Sequence, residues 1–224
     1  VMVGGSMKAA APPLSVDDRL VAEILAGAAG RTVVLLASSH EGEDAFFLEA
    51  LEAINQSGGF MGVIVPRHIQ RATTIMKLIN DAGMTGAQRS KGIMPSINTK
   101  IWLADAMGEM GSMISAADIV VLGGGFAPVG GHNPMEMAAL GKGVISGPNV
   151  FKNNTIFNLL KDKHGCIFVD TPSELGDMIT TLSTSTTRRE NLNKGAALTY
   201  DKLTNAASKT AQYVIKANPL GGST

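Results

Sequence analysis

The sequence predicts an α/β domain, a Rossmann-like parallel sheet with helices on both faces. Two observations predict it. Short apolar runs rich in β-branched residues (RTVVLLA at 31–37, FMGVIV at 60–65, DIVVL at 118–122) lack the polar alternation of a one-sided sheet, so they read as strands buried on both faces. Segments with helical periodicity separate them, and strand–helix alternation is the order of βαβ units.

Taken in order, residues 1–14 read as an arm ending in Ala11-Pro12-Pro13-Leu14. Ser15 or Asp17 can cap a helix to about Ala29. After the strand Arg31–Ala37, the polar turn Ser38-Ser39-His40-Glu41-Gly42-Glu43 leads into a helix to about Ser57. Phe60–Val65 is the next strand, stopped by Pro66-Arg67-His68, and a helix over 69–81 follows. A short strand fits 86–90, a loop fits 91–98, and a strand fits Lys100–Ala104. Met107-Gly108-Glu109 opens a helix to about Ala117. The strand 118–122 runs into Gly123-Gly124-Gly125 and a loop that continues to Gly130-Gly131-His132. A helix over Asn133–Leu140, a strand over Gly143–Ser146, a helix over Thr155–Lys161 and a strand over Cys166–Val169 come next. Pro172 suits the first turn of the helix Ser173–Leu182. A long helix over 187–217 and a flexible tail over 218–224 complete the chain. The division is therefore an arm or interdomain linker over 1–14, one domain over 15–217 and the tail.

Composition narrows the function. Nineteen basic residues balance nineteen acidic ones, so no global field draws nucleic acid, and aromatics at 4% supply no stacking platform. No nucleic-acid partner is expected. The single cysteine, Cys166, precludes an intrachain disulfide and reads as a buried structural thiol. No apolar stretch reaches the ~20 residues that span a bilayer, and the N-terminus has no signal-peptide hydrophobic segment. The first residue is Val1 rather than Met, which reads as a piece of a longer chain or as added residues.

Ligands of open parallel sheets bind beyond the carboxyl ends of the strands. Three polar clusters fall at that edge: Pro66-Arg67-His68, Met107-Gly108-Glu109, and Gly130-Gly-His-Asn-Pro-Met-Glu136. Arg67 is either a solvated arginine or a phosphate contact, for which its planar fork is suited. Asn133-Pro134-Met135-Glu136 reads equally as a helix start, with an Asn cap, Pro in the first turn and a capping-box Glu. First-turn amides can also face a ligand oxygen, and the Glu136 carboxylate can accept from ribose hydroxyls. Gly108 permits close approach of backbone to ligand, while Glu109 is either a ligand contact or a partner of the helix dipole. The glycine run at 123–125 lacks the GxGxxG spacing, and no Walker A sequence or GxSxG elbow is present. His40, His68, His132 and His164 are too scattered for a metal motif, so no metal is expected.

At these clusters the sequence resembles the Kdo transferases of lipopolysaccharide synthesis, which move 3-deoxy-D-manno-octulosonic acid (Kdo) from CMP-Kdo to lipid A precursors. The pieces that carry the resemblance are Gly5-Ser-Met-Lys8, Ser38-Ser-His-Glu-Gly-Glu43, Val65-Pro-Arg-His68, Arg89-Ser90, Asp105-Ala-Met-Gly-Glu109, Ala117-Asp118, Gly130–Glu136, Ala138–Lys142 and Gly147-Pro148, in family order. Met137 and Gly143 stand where the family usually has Pro, and Ala106 where it usually has Thr.

The resemblance implies the C-terminal, donor-binding half of a two-domain GT-B glycosyltransferase. It implies that Pro66, Arg67, Met107, Gly108, Glu109, Asn133, Pro134, Met135 and Glu136 hold the CMP moiety, and that Lys8 stabilises the transition state. The donor would be CMP-Kdo, with no cofactor and no metal. The lipid A precursor, the general base and any membrane contact would belong to an N-terminal half. The full-length enzyme would then work at the cytoplasmic face of the inner membrane, with this piece soluble and inactive alone. Another GT-B transferase or epimerase using a UDP-sugar, or a stand-alone nucleotide-binding module, is the alternative.

Overall fold

The computed structural model describes residues 13–54 and 58–217. Lys8, the arm before Pro13, the predicted helix end at 55–57 and the tail from 218 lie outside the described residues. Seven parallel strands form one sheet: β1 (Thr32–Ser39), β2 (Phe60–Pro66), β3 (Gly86–Gln88), β4 (Ile101–Leu103), β5 (Ile119–Leu122), β6 (Val144–Ser146) and β7 (Cys166–Phe168). Their spatial order is β3-β4-β2-β1-β5-β6-β7. β1 therefore sits at the centre, with β2 on one side and β5 on the other, and the order reverses between β1 and β5. A crevice at that reversal is where an open α/β sheet takes its ligand.

The strands are buried on both sides, which is why their sequences read as continuous apolar runs. Val33, Leu35 and Ala37 of β1 face one core, and Val34 and Leu36 face the other. The first core is covered by α1 (Asp18–Ala28), α4 (Met110–Ala116), α5 (Met135–Ala139) and α6 (Asn154–Asp162). The second is covered by α2 (Glu43–Ile54), α3 (Ala72–Asp81) and α7 (Pro172–Thr184). The long α8 (Thr186–Ala217) serves both, with Leu192 in one core and Ala196 in the other.

Local chemistry sets the element ends. The Asp17 carboxylate accepts from the amides of Arg19 and Leu20 and caps α1, while Ala29 ends it in the left-handed conformation. Thr171 caps α7 through its hydroxyl, with Pro172 in the first turn as expected. Gly143 donates its N–H to Asn193 Oδ1 at 2.9 Å, and a Cβ there would meet Leu192 at 2.5 Å. The proline usual at this position would lose the first contact and clash in the second, so α8 and Gly143 go together.

Three expectations need correction. β1 runs to Ser39 rather than Ala37, with an irregularity in its pairing to β2 and Ser38 at φ 57°. α4 starts at Met110, so Met107-Gly108-Glu109 is the turn before the helix rather than its first residues. α5 spans only Met135–Ala139, because Pro134, not Asn133, occupies the cap position. Asn133 Oδ1 still accepts from the amide of Met135 at 3.1 Å. Glu136 is exposed and makes no capping-box bond.

Candidate functional site

Loops from the carboxyl ends of β1, β2, β4 and β5 build the site. Between β2 and β4 lies an open cavity of about 290 Å³ whose lining includes Ser38, Pro66, Arg67, Met107 and Gly108. Four of the proposed CMP-binding residues thus share one surface. Pro66 is buried as the last residue of β2, and Arg67 follows it into solvent, its N–H donating to the Ser39 carbonyl at 3.0 Å. The Arg67 guanidinium has no hydrogen-bond or ion-pair partner among the described residues. Met107 is 83% exposed, and Gly108 turns the chain at φ 83°.

The other candidates stand apart from this cavity. Glu109 is taken up by Arg89, whose Nη2 and Nε donate to its carboxylate at 2.7 and 3.0 Å. Those bonds raise the affinity of Arg89 for its proton, against the opposing effect of burial. Nearby, burial of Asp105 opposes its ionisation. Hydrogen bonds from Gln88 and Ser90 outweigh burial and hold the carboxyl below its usual range. Both contacts tie the β3 end to the turn that carries Met107 and Gly108. Asn133, Pro134, Met135 and Glu136 do not line the cavity; they follow the β5 loop across the crevice.

Histidines connect the two sides. His40, after β1, and His132, beside Asn133, stack at 5.0 Å between ring centroids, and their Nε2 atoms are 2.9 Å apart. His68, next to Arg67, meets His40 edge-on at 6.0 Å. Three histidines scattered in sequence therefore converge at the β1/β5 crevice. They form no metal-binding group among the described residues. Burial first, then the neighbouring cations, holds His132 and His40 below the usual histidine range; Glu43 acts the other way on both.

Two carboxylates that were not among the candidate site residues organise this region, although Glu43 closes one of the segments that carry the resemblance. Glu43, 2% exposed at the start of α2, accepts from the backbone amides of His40, Gly124, Phe126 and Ala127 at 2.8–3.1 Å. It ties the β1 loop to the β5 loop. Gly123 must be glycine for this approach, since a Cβ would lie 2.6 Å from the Ser38 carbonyl and 2.8 Å from the Glu43 carboxylate. Asp44, fully buried, accepts from Ser39 Oγ at 2.6 Å and pairs with Arg71. A pair of acidic residues in the first turn after a buried strand was the available signal, because helix starts favour carboxylates and the crevice demands order.

Comparison with known proteins places this geometry. No protein-family model matches the chain. A 3-deoxy-D-manno-octulosonic acid transferase of Bordetella pertussis is 40% identical over 131 residues, 56% of this chain and 31% of that protein. One of Haemophilus influenzae is 32% identical over 145 residues, 64% of this chain and 34% of that protein. The chain thus spans about a third of the length of these curated relatives. Among solved structures, the C-terminal CMP-Kdo binding domain of WaaA from Acinetobacter baumannii superposes with a TM-score of 0.75 at 24% identity, covering 82% of this chain and 98% of that domain. The chain is a homologue of the 3-deoxy-D-manno-octulosonic acid transferases and has the fold of the C-terminal domain of a GT-B glycosyltransferase.

Proposed function

We propose that this chain is the donor-binding part of a Kdo transferase and binds CMP-Kdo through its cytidine monophosphate. One observation carries the reading: Arg67, exposed and unpartnered, shares a cavity at the carboxyl edge with Pro66, Met107 and Gly108. An unpaired guanidinium beside a turn of accessible backbone suits a phosphate. Asn133 to Glu136, across the crevice, would meet the nucleoside, with the Glu136 carboxylate accepting from ribose hydroxyls. Glu109 would act by holding Arg89 and the Met107–Gly108 turn rather than by touching the ligand.

In a longer protein, an acceptor hydroxyl would attack the anomeric carbon of Kdo as its proton passes to a base, and CMP would leave with the bonding electrons. Lys8 would then place positive charge near the leaving phosphate. The lipid A precursor, the base, any membrane contact and work at the inner membrane's cytoplasmic face belong to this proposal. Within the described residues, no helix is long and apolar enough to cross a membrane.

Calorimetric titration with CMP, UMP and UDP tests the reading. CMP is expected to bind tighter than either uridine nucleotide. Preference for UDP would move the chain to a UDP-sugar enzyme, and no binding of CMP would remove the donor site.

A further inference from the structure

Ser38, near the carboxyl end of β1, departs from strand backbone with φ 57°. Ala37 pairs with Val65 and Ser39 with Pro66, so Ser38 is an extra residue without a partner on β2, a bulge. An L-residue reaches the left-handed region at a cost, because its Cβ crowds the following carbonyl oxygen. Two other described non-glycine residues have positive φ, Ala29 and His164, and both follow helix ends, where that conformation is routine. Elsewhere at this edge of the sheet glycine supplies it, as at Gly108 and Gly124. Position 38 holds a serine instead.

Neighbours on both sides fix the bulge. Before it, the Ala37 carbonyl accepts from the amide of Gly123 at 2.9 Å. After it, Ser39 is fully buried, and its Oγ donates to Asp44 at 2.6 Å. The Ser39 carbonyl accepts from the Arg67 N–H at 3.0 Å and from Arg71 Nη1 at 3.1 Å, and Arg71 pairs in turn with Asp44. Strain of this kind persists only where the surroundings over-determine it, and such residues cluster at ligand sites.

The strained position presents a hydroxyl. Ser38 is half-buried and lines the same cavity as Arg67, Met107 and Gly108. Its Oγ has no hydrogen-bond partner among the described residues. The Ser39 carbonyl that anchors the bulge also anchors the Arg67 amide, so the serine and the arginine start from one fixed point. A hydroxyl can donate to a phosphate oxygen beside a guanidinium. Glycine at this position would relieve the backbone but leave no such donor.

Resting on the donor-site reading, we propose that Ser38 is a second phosphate contact of the cavity, its Oγ–H donating to a phosphate oxygen of cytidine monophosphate beside Arg67, and that the strained bulge of β1 serves to place this hydroxyl.

Ser38→Gly and Ser38→Ala on the 224-residue chain separate the hydroxyl from the backbone. Both remove the hydroxyl, and only glycine removes the strain. Ser38→Gly is expected to melt above Ser38→Ala. In calorimetry both variants are expected to bind CMP about tenfold more weakly than the parent, the scale of a hydrogen bond to a charged group. Cytidine, which lacks the phosphate, is expected to bind all three chains nearly alike. Unchanged CMP affinity in either folded variant overturns the proposal, and so does an equal loss for CMP and cytidine. Ser38→Gly melting below Ser38→Ala overturns the role given to the strain. Failure of the parent chain to bind CMP overturns the donor-site reading itself.

Discussion

The Glu43 carboxylate and the amide of Gly124 lie 2.8 Å apart although 81 residues separate them in sequence. Through this contact the first helix after the central strand holds the loop of the strand across the crevice. Glu43→Gln keeps the shape but turns an NH₂ group toward amides that also donate. The variant is expected to lose about 2–3 kcal/mol, since the contact is buried and charge-assisted, and to bind CMP more weakly as both loops relax. Urea denaturation together with a CMP titration checks it. Unchanged stability would mean that the amides find other acceptors.

Arg67 contrasts with Glu43, because no partner within the described residues holds its side chain. Arg67→Ala is expected to leave the melting temperature almost unchanged. Its CMP affinity is expected to fall about tenfold or more, as a charge-assisted contact does, and its cytidine affinity much less. Equal losses for both ligands would separate Arg67 from the phosphate.

Gly108 has φ 83°, which an alanine adopts only under strain. No atom stands within 4 Å of where its Cβ would be. Gly108→Ala is therefore a test of backbone conformation without crowding. A stability loss of about 1 kcal/mol or more is expected, with weaker CMP binding as the turn shifts. Thermal melts and calorimetry read the two effects separately.

Glu136 is exposed and caps nothing, so Glu136→Gln is expected to melt with the parent. If it accepts from ribose hydroxyls, CMP affinity falls while the 2′-deoxy and 3′-deoxy forms of CMP lose less. The same affinity in variant and parent would leave Glu136 without a part in binding.

Burial pushes the Cys166 thiol up to about 11, with Lys161 opposing only in part. At pH 8 about a thousandth of such a thiol is ionised. Thiol reagents are expected to leave the folded chain unmodified at pH 8 and to label it rapidly in denaturant. Fast labelling of the folded chain would contradict the buried position of β7.

The central strands were legible in the sequence because burial on both faces writes itself as an unbroken apolar run. Pro172 was legible as the first turn of a helix because that preference is local. α5 was overestimated because the Asn-Pro-x-Glu pattern describes a cap without revealing that Pro134 already occupies it. The convergence of His40, His68 and His132 depends on strand order, which local pattern does not encode. Adjacency of β1 and β5 turns two distant loops into one surface. Glu43 was hidden for a different reason: a carboxylate at a helix start is ordinary, and only the buried amides of the β5 loop make it indispensable.

The central place of β1 has a consequence for how the chain is made. β1 is complete at Ser39, but its second neighbour β5 begins at Ile119. Until Gly124 has left the ribosome, Glu43 has none of the β5-loop amides that it will accept from. At ordinary rates the 81 residues from Asp44 to Gly124 take on the order of ten seconds to synthesise. During that interval one long edge of β1 is unpaired, and the carboxylate beside it stays in water. A charged group at a waiting edge discourages pairing with other nascent chains. The residue that locks the finished crevice would thus also guard its unfinished half.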